Sequence, residues 1–186
     1  MPSTVRRTAR LLKDSGRYLL AGVRAALAEP VDATRETLDG WRNGDRELER
    51  ARVSPTSLLS DAMAEVTVTC AQLGIDLLME PIDRLPEELE LDARRVGAAL
   101  EATLHGALKE YGQDTTIRVR TLAREDRAVI EVIANRPAAL ARLLARFEDT
   151  THDLTLAREI LRAHGGELLA RGDEDDAALV VELPLS

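Results

Sequence analysis

The sequence predicts an α+β fold: an N-terminal helical hairpin, then helices on one face of a mixed, mostly antiparallel sheet. Three observations carry this expectation. Apolar residues before Ser54 recur only at helical spacing. After Ser54 the pattern switches repeatedly between helical and alternating periods, and Gly74, Gly112 and Gly165-Gly166 stand at the switches. With 186 residues, 45% hydrophobic and 31% charged, the chain fits one ordinary domain or a small domain plus an appendage, and a disordered tail is ruled out.

In the first arm of the hairpin Val5, Leu12, Leu19, Leu20, Val23 and Leu27 fall on one helical stripe. Pro30 ends that arm and can open the second, because proline lacks the donor a helix interior needs but is harmless in a first turn. In the second arm Val31, Thr34, Leu38, Trp41 and Leu48 take steps of three and four, with Asp45 at the intervening position and Gly40 and Gly44 weakening the helix. Such a hairpin has too little core to stand alone, so it packs against a second copy or against the rest of the chain.

Ser54-Pro55 gives the next helix start, Leu58, Leu59, Ala62, Met63, Val66, Cys70 and Leu73 its buried face, and Gly74 its stop. Residues 75–79 read as a short apolar strand. Asp92 precedes a helix whose Val96, Leu100, Leu104, Ala107, Leu108 and Tyr111 repeat at helical spacing until Gly112. Residues 115–122 alternate Ile117 and Val119 with Arg118 and Arg120, as a sheet with one wet face requires, and residues 128–134 are continuous enough in apolar character for a central strand. Helices over 137–147 and 154–163 follow, then strands over 167–171 and 178–183. The order after Ser54 is αβαββααββ.

Charge separates a hairpin, residues 1–52, from a second domain, residues 53–186. The first holds eleven Arg/Lys against eight Asp/Glu, the second fourteen against twenty-five. A net charge of -8 repels nucleic acid and anionic lipid, and four aromatic residues give few stacking platforms, so neither nucleic acid nor a membrane is an expected partner. The arginine-rich start superficially resembles a transit peptide or a surface helix, but its apolar stripe reads as a packed helix. No apolar run reaches the roughly 18 to 20 residues that span a bilayer. Cys70, the single cysteine, excludes an internal disulfide or a multi-cysteine zinc site, and an intracellular, cytoplasmic setting is expected. The run Asp173-Glu174-Asp175-Asp176 lacks the glycine and spaced carboxylates of a calcium loop and reads as a solvated hairpin tip.

The element order, together with particular words, resembles the ATP-binding domain of sensor histidine kinases preceded by a two-helix dimerisation segment. The stretch from Val53 to Asp92 looks like the opening of that domain, and Leu-Ala-Arg-Glu-Ile-Leu-Arg-Ala-His-Gly-Gly over residues 156–166 is similar to the family's helix ending in His-Gly-Gly. The resemblance implies a two-layer α/β sandwich of the histidine kinase ATPase (Bergerat) type.

It also implies where the nucleotide would sit, and there the words are altered. The family's Asn-x-x-x-Asn-Ala-x-Lys, which places magnesium and phosphate, matches Ala102, Gly106, Ala107 and Lys109, of which only Ala-x-Lys is retained. Alanine and glycine offer no side-chain oxygen to a hard cation, and His105 is no substitute. The family's Asp-x-Gly-x-Gly, which holds adenine, matches Ala134, Arg136 and Ala138, with Asn135 between them. Loss of such a buried hydrogen bond costs about 1 to 3 kcal/mol, and Cβ atoms in place of glycines add steric conflict. The family's Gly-x-Gly-Leu becomes Thr151-His152-Asp153-Leu154, where Asp153 is expected to cap the next helix and repel a triphosphate.

The family's phosphorylated histidine also has no counterpart, since no histidine precedes His105; Asp14 falls near its place and Tyr18 one turn later, where seam packing is the expected role. These readings predict a non-catalytic, histidine-kinase-like signalling protein without cofactor or metal. It would form a homodimer through the hairpin and bind a response regulator receiver domain or a histidine kinase through Arg10, Lys13, Asp14, Arg17 and Tyr18. The competing readings are a diverged kinase or ATPase that contacts nucleotide through Lys109 and Asn135, a histidine phosphotransferase, or an anchoring or nucleic-acid-binding module using the first helix.

Overall fold

The structure is a computed structural model that describes residues 32–81, 83–124 and 126–185. The expected first arm of the hairpin, with Arg10, Lys13, Asp14, Arg17 and Tyr18, lies outside these residues. The second arm is present as helix α1 (Asp32–Arg42), but it stops at Arg42 and does not continue to Leu48. Gly44 takes a φ of +98°, and the Asp45 N–H returns to the Gly40 carbonyl at 3.0 Å, which closes the helix end. Residues 45–50 then run without regular structure into the short strand β1 (Ala51–Val53).

From Ser54 the expected order holds, with one addition. Helix α2 (Pro55–Leu73) starts on the Ser54 hydroxyl, which accepts the Ser57 N–H, and stops at Gly74 in the left-handed region. Strand β2 (Asp76–Pro81) follows, then an unforeseen strand, β3 (Leu89–Leu91), which pairs antiparallel with β1 so that Ala51 faces Leu91. Helix α3 (Ala93–Tyr111) is capped by Asp92, whose carboxylate accepts the Arg95 N–H at 3.0 Å and the Glu49 N–H at 3.1 Å. Strands β4 (Thr116–Ala123) and β5 (Arg127–Ala134), helices α4 (Ala139–Glu148) and α5 (Asp153–Ala163), and strands β6 (Glu167–Gly172) and β7 (Ala177–Pro184) complete the chain.

The large sheet has the order β2-β4-β5-β7-β6, with β2 parallel to β4 and every other pair antiparallel. Alternation in β4 does what the pattern requires: Ile117 and Val119 are buried, while Arg118 and Arg120 lie half-buried on the other face near Asp176 and Glu80. Helices α2, α3, α4 and α5 cover the sheet, with α3 buried on nearly every side. Helix α1 packs on α3 and α5, so the second arm of the hairpin folds back on its own domain. The result is the expected two-layer α/β sandwich, with α1 laid over its helices.

The His-Gly-Gly word has a structural explanation. His164 is buried; its Nδ1–H donates to the Ile160 carbonyl at 2.8 Å and its Nε2 accepts the Asp92 N–H at 3.1 Å, which ties the end of α5 to the start of α3. Gly165 takes a φ of +77°, and a Cβ on Gly166 would stand 2.3 Å from the Glu182 carbonyl oxygen. Cys70 is buried within α2, and burial pushes its thiol up to about 11.

Candidate functional site

Three segments meet where the resemblance places a nucleotide: the second half of α3, the end of β5 with its following turn, and the start of α5. Ala102 and Gly106 sit on α3 and Ala134 ends β5, and all three are buried. Gly106 faces Leu154 so closely that a Cβ added to the glycine would stand 2.6 Å from a Leu154 methyl carbon. Leu154 is itself wholly buried. The space beside the altered asparagine position is therefore occupied by the first turn of α5.

Lys109, Asn135, Arg136, Ala138 and Thr151 are exposed, and Asp153 is half-buried. Arg136, at a glycine position of the family's word, turns to the loop before β4. Its Nε–H donates to the Thr115 hydroxyl at 2.7 Å and its Nη2 to the Asp114 carbonyl at 3.2 Å. Lys109 stands near enough to His152 to act on its charge.

The turn before α5 is built differently from the expectation. The helix cap is His152, whose Nδ1 accepts the Leu154 N–H at 3.2 Å, and Asp153 occupies the first helical position. There the carboxylate meets Arg42 of α1 at 3.8 Å, while the same guanidinium donates to the Thr151 carbonyl at 3.1 Å. The reason is conformational: His152 has the extended backbone a cap needs, with φ -79° and ψ 140°, one residue before the carboxylate. Burial first, and then the nearby Arg146, hold the His152 imidazole below its usual range, which keeps Nδ1 an acceptor.

Sequence reasoning missed the residues that hold α4 in place. Glu110, on α3, is buried and receives Arg142 Nε–H at 3.1 Å and Arg146 Nε–H at 2.7 Å, and Arg142 also donates to the Glu110 carbonyl. The far end of α4 is fixed by Thr155, whose hydroxyl lies 2.9 Å from the Arg146 carbonyl and 2.7 Å from that of Asp149. Asp149 accepts the Thr151 N–H at 3.0 Å and hydroxyl at 2.7 Å; these bonds hold its carboxyl below the usual range. Two arginines one helical turn apart, 32 and 36 residues after an acid, are the only local trace of the clamp.

Clefts of about 350, 490 and 270 Å³ open elsewhere, beside Arg50 and Leu185, beside Met79 and Pro86, and beside Arg171 and Ala178. None of these three is lined by a residue matching the nucleotide words. Among the described residues no group of three or more His, Cys, Asp or Glu is placed to hold a metal ion, and no helix is long and apolar enough to cross a membrane.

Comparison with known proteins gives the same fold. The catalytic domain of histidine kinase ThkA superposes with a TM-score of 0.61 at 19% identity, over 74% of this chain and 96% of that one. Histidine kinase ThkA in complex with response regulator protein TrrA gives 0.66 at 17% identity over the whole of this chain and 53% of that one. A histidine kinase from Burkholderia phymatum gives 0.61 at 18% identity over 97% and 98%. No protein-family model and no curated protein matches the chain. At these identities the likeness establishes the fold, that of the histidine kinase ATPase domain.

Proposed function

We propose that this protein is a non-catalytic relative of the histidine kinases that works by binding other proteins, in the cytoplasm, within a two-component pathway. The observation that carries the reading is the contact between Gly106 and Leu154. In a cleft that is to receive a triphosphate, the side chain at the altered asparagine position needs an oxygen and room to present it; here there is neither. The same conclusion is supported by Ala134, buried and without an acceptor for adenine, and by α4, clamped onto Glu110 beside the cleft. A magnesium nucleotide held in the family's way does not fit these residues.

The proposed partner is a response regulator receiver domain or a histidine kinase. ThkA, which shares the fold, is known in complex with a response regulator. The basic stretch Arg10, Lys13, Asp14, Arg17 and Tyr18 is the proposed contact, and a homodimer through the helical hairpin, residues 1–52, is the proposed assembly. Calorimetric titration of the full chain with ATP and Mg²⁺ is the direct test. The expected result is no saturable heat. Micromolar binding that Lys109→Ala abolishes would overturn this reading and favour the diverged kinase or ATPase.

A further inference from the structure

Strand β2 is one edge of the large sheet, and nothing among the described residues pairs with its outer side. The Asp76 N–H donates to the Thr115 carbonyl at 3.0 Å, so in the parallel ladder with β4 the even-numbered backbone groups of β2 turn inward. The N–H groups of Leu77 and Met79 therefore point outward, and Pro81, which has none, ends the row. Edges of this kind are ordinarily blunted by lysine, a bulge or a covering segment. Here the side chains do the opposite, with Leu78 46% and Met79 39% exposed. Together with Val68, on the helix α2 that packs beside β2, they are three of the four exposed large apolar residues among those described; the fourth, Leu144, lies on α4.

Successive strand residues face opposite sides, so Met79, in register with Val119, lies on the helical side of the sheet and Leu78, in register with Arg118, on the open side. On the helical side Met79 lines the cleft of about 490 Å³ together with Leu85, Pro86 and Thr121. The charge around this edge is acidic. Asp76, Asp83 and Glu87 are exposed and form no ion pair among the described residues, whereas Glu80 is matched by Arg120 at 3.4 Å. Arg84 is the one cation lining the cleft, against Asp83 and Glu87. A second copy suits such an edge poorly: two-fold antiparallel pairing centred on Leu78 sets Asp76 opposite Glu80 of the copy, and like charges directly opposite destabilise a strand pair. A basic occupant meets no such repulsion.

We propose that β2 is a docking edge for an extended segment of a partner protein, apolar at its centre and carrying lysine or arginine towards its ends. The segment adds as a sixth strand. Its main chain bonds to that of Leu77 and Met79, one apolar side chain enters the cleft beside Met79, another covers Leu78, and its cations meet Asp76, Asp83 and Glu87. None of these residues belongs to the basic stretch from Arg10 to Tyr18. Docking at β2 rests, like the proposed function, on a protein that works by binding others, but it is read without nucleotide, so the two fail separately.

The test is selection on the full chain from a phage library of random peptides, with the enriched peptides synthesised, labelled with fluorescein and titrated by anisotropy. Peptides with an apolar centre and lysine or arginine towards the ends are expected. Met79→Pro removes an outward N–H that the sheet does not use, and should weaken these peptides about tenfold or more with circular dichroism unchanged. Asp83→Lys combined with Glu87→Lys, both at exposed positions, should weaken them about as much, and Leu144→Lys should leave binding as it was. Should Met79→Pro fail to fold, the paired charge reversal decides alone. An empty selection, or undiminished binding by either folded variant, excludes docking at β2. If Met79→Pro instead halves the solution mass of the full chain, a second copy holds the edge and the proposal falls.

Discussion

Gly106 shows how one position can close a cleft. With a methyl carbon of Leu154 already 2.6 Å from where a Cβ would be, Gly106→Ala forces the leucine or the helix to move. The expected cost is about 1 to 3 kcal/mol, read as a lower urea midpoint at unchanged slope. Two histidines set the response to acid at the same scale. Burial is the first cause that holds both His152 and His164 below the ordinary imidazole range, so the unfolded chain binds their protons more readily than the folded one. Stability is therefore full above the unfolded pKa of about 6.5 and is lost as pH falls through the depressed folded values. Urea midpoints measured from pH 7.5 to 5 should decline below about 6.5, and His152→Ser, which keeps a capping oxygen without the titration, should flatten that decline. At this scale the sequence was a partial guide. The missing oxygens at Ala102 and Gly106 were plain, whereas Asp153 was expected to cap α5 and His152 does so, because an offset of one residue depends on backbone angles that composition does not encode.

Helix α4 is secured by one buried carboxylate and two half-exposed arginines. Glu110→Ala removes the anchor without leaving a buried charge, since both guanidinium groups turn back to water. A loss of about 1 to 2 kcal/mol is expected, together with faster amide exchange confined to α4 and the turn through Thr151. Local periodicity revealed the helices and strands from Ser54 onward, since each has a buried stripe or an alternating face long enough to register. It did not reveal β1 and β3, three residues each, whose pairing joins positions some forty residues apart, nor the clamp at Glu110, whose partners are as distant. Helix α1 was legible as a helix, and its early stop was foreshadowed by Gly40 and Gly44; the surface it would choose was left open between a second copy and the chain itself.

For the molecule as a whole, that choice bears on assembly. The described part of the hairpin places its buried face, from Thr34 to Trp41, on its own domain, so residues before Asp32 are the part of the hairpin left to serve the proposed homodimer. The solution mass of the full chain should be that of a dimer, and a chain beginning at Asp32 should be monomeric with its circular dichroism intact; a monomeric full chain would remove the assembly proposed above. The thiol within α2 has a practical corollary for such experiments. Cys70 is hidden and stays protonated near neutral pH. A single cysteine introduced on the surface would accordingly be the one sulfhydryl to accept a maleimide dye or spin label, and distances across the assembly become measurable in an otherwise unaltered background.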